Sequence, residues 1–116
     1  MRKKVKGIKA KEIQNINKAC GGEMFRDNLD TAIDMGKGKG LYTQTAHMVR
    51  AIVVDHPFTD CNKRTGYTVA KTMLERNGVV LTTPQKKELA KQVGKIAKKN
   101  IGNIKKISKM VEYATK

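Results

Sequence analysis

Tryptophan is absent from this chain, and phenylalanine and tyrosine together supply only five aromatic rings. No row of aromatic side chains exists on which nucleotide bases could stack, so recognition of single strands by stacking is not encoded. No run of about 18 or more apolar residues occurs, which excludes a membrane-spanning helix. The start, Met1-Arg2-Lys3-Lys4-Val5, is basic but has no apolar stretch behind it, so it does not read as a secretory signal. Cysteine occurs only at Cys20 and Cys61. A disulfide framework is therefore not expected, and the default is a reduced, cytoplasmic chain. Proline occurs only at Pro57 and Pro84, so few points force a helix to break. Acidic residues are scarce: ten stand against 25 lysines and arginines, for a net charge of +15.

That charge is unevenly placed. Residues 1–11 hold six basic and no acidic residues, and residues 84–116 hold ten lysines against Glu88 and Glu112. The stretch between them is nearly neutral, with nine basic and eight acidic residues. Cationic ends attract acidic partners such as nucleic acid or an acidic protein. Lysine-rich, solvated helix faces produce the same composition, and no known DNA-binding motif accompanies the lysines. At 116 residues the chain is long enough for one modest core, so a single domain over 1–116 is expected.

The hydrophobic spacing is helical almost throughout. Ile13 and Ile16 set a helix over residues 10–19, stopped by Gly21-Gly22. Asp27 or Asn28 can cap a short helix carrying Leu29, Ala32 and Ile33. Gly36-Lys37-Gly38-Lys39-Gly40 is a flexible loop by composition. From about Thr43 to Asp55, apolar residues cover most of a helix circumference, which predicts a central buried helix. Pro57 disfavours helical geometry at His56 and ends it. Gly66, Val69, Ala70, Met73 and Leu74 predict a helix over 62–77, closed by Gly78. Val79–Thr82 reads as a short extended stretch. Pro84 then opens a fifth helix, and Ile104, Ile107 and Val111 mark a sixth. The expected fold is an all-α, single-domain bundle of about six helices, with the 56–64 stretch in a loop between two central helices.

That stretch, His56-Pro57-Phe58-Thr59-Asp60-Cys61-Asn62-Lys63-Arg64, concentrates the chemistry. A histidine can move a proton, and a carboxylate at Asp60 can hold a metal ion. A helix start at Asn62 presents unpaired N–H groups and a positive dipole end to an anion. Arg64 can grip phosphate oxygens bidentately, and Lys63 adds a point charge. Each has a plainer reading: a histidine at a helix end is commonly structural, and Asp60 could be a cap. The close spacing of all of them favours a phosphate site. His47 lacks such company and reads as structural or surface. Phe58 reads as an anchor that pins the loop into the core.

The stretch resembles the signature of the Fic/Doc family, H-x-F-x-[DE]-G-N-x-R-x-x-R. It is closer to the Doc branch, the death-on-curing toxins of toxin–antitoxin modules, through Asp60, Asn62-Lys63-Arg64-Thr65 and Gly66. The similarity continues through Leu74-Glu75-Arg76-Asn77-Gly78. It is strong over 56–78, weaker over 10–55, where Ile13 to Lys18 followed by Gly21-Gly22 resembles the start of Doc-like domains, and only architectural over 84–116.

The resemblance implies transfer of part of ATP to a protein hydroxyl, with Mg²⁺. His56 would be the catalytic base and Asp60 the metal ligand. Cys61, Asn62, Lys63 and Arg64 would bind phosphate, with Asn62 and the backbone after Asp60 as an anion hole. The loop Gly36, Lys37, Gly38, Lys39 and Gly40 would correspond to the flap that docks an extended target segment. The implied target is a translation factor, and the implied partner a small antitoxin protein. The sequence departs from the family in three places. Tyr67 stands where the wider family has a second arginine, as in the Doc branch, which favours kinase chemistry over AMP transfer (AMPylation). Cys61 replaces the usual glycine or alanine and adds redox sensitivity. The Gly/Lys loop is short. No inhibitory [ST]-x-x-x-E-[GN] helix occurs, so restraint would come from another chain. The alternatives are a Fic-type AMPylating enzyme and a non-catalytic basic nucleic-acid-binding module on the same fold.

Overall fold

The computed structural model describes residues 4–116. Six helices account for the regular structure: α1 (Ala10–Cys20), α2 (Leu29–Gly36), α3 (Leu41–Val53), α4 (Asn62–Arg76), α5 (Thr83–Lys99) and α6 (Ile104–Ala114). The all-α, six-helix expectation holds.

α3 is the central element and packs against α2, α4, α5 and α6. Its composition explains this: Ala46, Met48, Val49, Ala51, Ile52 and Val53 are all buried, so most of the helix circumference carries apolar surface, with His47 and Arg50 on the remaining side. α3 and α4 approach closely because Gly66 has no side chain. A Cβ at Gly66 would collide with Cγ1 of Val53. α1 packs on α4 from the other side.

The helix ends follow local chemistry. Gly21, at φ 110°, closes α1 in left-handed geometry. Thr82 accepts the Gln85 N–H and Pro84 sits in the first turn of α5, while Asn103 accepts the Lys106 N–H at the start of α6. Asn28 precedes α2 but does not cap it. Its amide instead donates to the Ala51 carbonyl at 3.0 Å, because the end of α3 lies within reach. Residues 79–82 form no strand: Leu81 is buried and Val80 is exposed. The chain makes one isolated antiparallel bridge among the described residues, Met24 to Phe58.

Two expectations need correction here. The cysteines are not free: Cys20 and Cys61 form a disulfide. The end of α1 and the start of α4 bring their Cα atoms to 6.2 Å, inside the span a disulfide bridges. The bond also withdraws the cysteine-based argument for a reducing compartment. Second, Gly36–Gly40 does not flank the 56–64 stretch. The loop precedes α3 and the stretch follows it, so the 13-residue helix holds them about 20 Å apart. Among the described residues, no helix is long and apolar enough to cross a membrane.

Candidate functional site

The segment 54–61 turns the chain from α3 into α4, and its backbone is unusual at both ends. His56 has φ 49° and Cys61 has φ 63°. Left-handed backbone is costly for residues with a Cβ, about 1–2 kcal/mol each. Asn100 is the only other non-glycine described residue with positive φ. Two such residues five positions apart mark a loop held against its own preference, and such loops cluster at functional sites.

Several contacts hold it. Phe58 is buried as an anchor. The Asn62 side chain folds back on the loop: its amide donates to the Phe58 carbonyl at 3.0 Å, and its Oδ1 accepts the Phe58 N–H at 3.3 Å. Residues 22–26 run alongside. Phe25 N–H donates to the Pro57 carbonyl at 2.9 Å, and Thr59 N–H to the Glu23 carbonyl at 2.8 Å. The Thr59 hydroxyl accepts the Glu23 N–H at 3.0 Å. From α1, the fully buried Asn17 donates to the Asp60 carbonyl at 2.8 Å and to the Thr65 hydroxyl at 3.0 Å. The Asn17 Oδ1 has no partner and is buried. Gly22 lies directly over it, and a Cβ there would also come within 2.6 Å of the Asp60 carbonyl oxygen.

The chemical groups are thereby placed. His56, Asp60, Lys63 and Arg64 are all exposed. One Asp60 oxygen, Oδ1, accepts the Cys61 N–H at 2.7 Å. That bond occupies the Cys61 amide, so Cys61 does not offer the anion-binding N–H expected of it, and its sulfur is engaged with Cys20. No side chain caps α4, and Thr65 is the first residue to close a helical bond, onto the Cys61 carbonyl at 2.9 Å. The Asn62, Lys63 and Arg64 amides therefore face outward at the positive end of α4. Arg64 Nη1 lies 3.9 Å from the Cys20 sulfur, on the same edge.

The residues present fit Mg²⁺ in one specific sense. Asp60 supplies a single carboxylate with one oxygen held and the residue exposed, and Mg²⁺ commonly takes one or two carboxylates with phosphate and water oxygens completing the shell. Among the described residues, no three His, Cys, Asp or Glu side chains gather to form an all-protein cage. A hollow of about 440 Å³ adjoins the loop on the α1 side, with Asn17, Gly22, Met24 and Phe58 among its walls. His56, Asp60 and Arg64 do not line it. His47 lies on α3, half-buried, and its pKa is pushed below the usual value by burial, with Arg50 and Lys39 adding repulsion.

The positioning role of Asn17 was visible only as a polar residue four positions after the buried Ile13, on the face α1 turns inward. The pairing of Glu23 and Phe25 with the loop left no periodic signal. No protein-family model and no curated protein matches the chain.

Proposed function

We propose that the chain is a Doc-like protein kinase, transferring the γ-phosphate of ATP to a hydroxyl of a target protein. The observation that carries the reading is the fixed loop between α3 and α4. It sets a histidine, a carboxylate and two cations beside the uncapped start of a helix, bracketed by left-handed residues at His56 and Cys61.

In this reading the triphosphate lies across the start of α4. The Asn62, Lys63 and Arg64 amides and the two side-chain cations hold its oxygens. Asp60 holds Mg²⁺, which neutralises phosphate charge when bound. His56 takes the proton from the target hydroxyl, whose oxygen bonds to the γ-phosphorus as the bond to the β-phosphate oxygen breaks and ADP leaves. The Asn62 and Asn17 side chains do no chemistry; bonded to the Phe58, Asp60 and Thr65 groups, they keep the loop in shape, and Asn62 contributes to phosphate binding only through its backbone amide. Tyr67, in the place of the family's second arginine, is the reason to favour the γ-phosphate over AMP transfer. The segment Glu23–Arg26, which pairs with Pro57 and Thr59 and exposes Glu23, Phe25 and Arg26, is the better candidate for docking a target strand than Gly36–Gly40. A translation factor as target and a small antitoxin as partner follow from the resemblance alone.

Incubation of the protein with cell lysate and ATP labelled at either the γ- or the α-phosphate tests this. Label from the γ-position on a Ser or Thr supports kinase chemistry. Label from the α-position alone replaces it with AMP transfer. No transfer of either label, from oxidised or reduced protein, removes the transferase reading.

A further inference from the structure

We infer that the outer face of α5 is a docking ridge for the phosphate backbone of double-stranded nucleic acid. Lys87, Lys91, Lys95 and Lys98 are all exposed. At 100° per residue they fall within an arc of about 80°, and they run about 17 Å along the helix. The inference is independent of the 56–64 loop and of any transferase activity.

Three features favour this partner. The first is the absence of local compensation. The ion pairs among the described residues join Lys37 to Asp34, Lys71 to Glu75 and Arg76 to Glu12. None of the ten lysines in residues 84–116 takes part. The one acid on α5, Glu88, accepts a hydrogen bond from Gln92 at 2.8 Å. The second is that the ridge does no work for the fold. α5 buries Leu89, Gln92, Val93 and Ile96 on its other side, so the lysines are not serving packing. The third is that α5 carries no aromatic residue. Bases cannot stack on it, whereas a duplex presents a regular row of phosphates that point charges can meet. Recognition would then be independent of base sequence.

The magnitude is testable. Four lysines that each neutralise a phosphate give a salt slope of about −3.6 in log K against log salt, from about −0.9 per contact. Binding of a fluorescent random-sequence DNA duplex is measured by anisotropy between about 50 and 200 mM salt. The wild type is compared with two variants of equal charge loss. One carries Lys87→Gln, Lys91→Gln, Lys95→Gln and Lys98→Gln. The other carries Lys4→Gln, Lys6→Gln, Lys11→Gln and Lys39→Gln, at exposed positions outside α5. The ridge variant is expected to lose about 3.6 from the slope, and the other less than about 1. A charge-reversal pair, Lys91→Glu with Lys95→Glu, repeats the ridge test with fewer changes, and the thermal transition of each variant confirms that it folds. Equal losses in the two fourfold variants would overturn the inference, because net charge alone would then explain binding. So would no duplex binding at low salt. Tighter binding of poly-glutamate than of duplex at equal charge would overturn it as well, since the face would then suit an acidic protein.

Discussion

His56 and Cys61 are the residues at which backbone and chemistry conflict. Both sit in left-handed geometry, yet neither is glycine. His56 is exposed and supports no packing, so its removal tests chemistry and not folding. His56→Ala is expected to lower label transfer by roughly 10²- to 10⁴-fold, the usual contribution of a general base. Thermal unfolding should be unchanged. Near-normal transfer by a folded variant would take the base role away from His56. Cys61 gives a second test, on stability. Glycine adopts φ 63° without strain, so Cys61→Gly should stabilise the reduced protein by about 1 kcal/mol relative to reduced wild type. In the oxidised protein the same change should destabilise, because it removes the bond to Cys20. Urea unfolding with and without reductant reads both signs, and a loss of stability in both conditions would contradict the strain argument. These residues were legible in sequence because they are contiguous: a histidine, an acid and two cations within nine positions need no fold to bring them together. Their partner Cys20 was not, since it lies 41 positions from Cys61 and only the packing of α1 on α4 joins them.

Elements, rather than residues, decide what two glycines are worth. Gly66 and Gly94 both lie inside helices, where alanine is preferred by about 1 kcal/mol. At Gly94 a Cβ would meet open space, so Gly94→Ala should stabilise by about 0.5–1 kcal/mol. At Gly66 it would strike the buried, branched Val53, which cannot swing aside, and overpacking of this kind costs about 1–3 kcal/mol. Overpacking should win, with a net loss of about 1–2 kcal/mol in Gly66→Ala. Chemical denaturation of the two variants checks the opposite signs, and a stabilised Gly66→Ala would show that α3 and α4 are not tightly apposed there. The helices themselves were readable from apolar spacing, and α4 begins at the residue expected. α3 was placed two residues late because the apolar run continues through Val54 beyond the last helical turn, while Leu41 opens the helix directly after the glycines. Of the two candidate caps, Asp27 and Asn28, Asn28 takes the N-cap position of α2, but its side chain serves a carbonyl in another helix, a tertiary contact that propensity does not encode. The Gly/Lys loop joins the site only through the family resemblance, while the chain order, with α3 between the loop and the 56–64 stretch, already separates them by the length of that helix.

Across the whole molecule, α1 is fastened to α4 at both ends, once by charge and once by a covalent bond. Glu12, in the first turn of α1, pairs with Arg76 in the last turn of α4. Cys20, at the end of α1, is bonded to Cys61 just before α4. The ionic end responds to acid. The Arg76 guanidinium, and then the Lys9 N–H, hold the Glu12 carboxyl down to about 2 from the usual 4.5. A carboxyl lowered on folding contributes stability that is present above pH 4.5 and is lost as pH falls through about 2. The pair is more than one-third exposed, so its worth is at most about 1 kcal/mol and falls with salt. Arg76→Ala should flatten the decline in stability between pH 4.5 and about 2, followed by circular dichroism, and an unchanged decline would assign it to other carboxyls. The covalent end is the stronger of the two. Closing a loop between residues 41 apart restricts the unfolded chain by about 4 kcal/mol in the entropic account. At about 4–8 °C per kcal/mol for a domain near this size, reduction should lower Tm by roughly 15 °C or more. Cys20→Ser should melt at the lower temperature whether or not reductant is present. Thermal scans of wild type and Cys20→Ser, each with and without a dithiol reductant, give the test. If wild type melts at the same temperature in both conditions and matches Cys20→Ser, the thiols are free in solution, and Cys61 returns to the reduced state first expected of it.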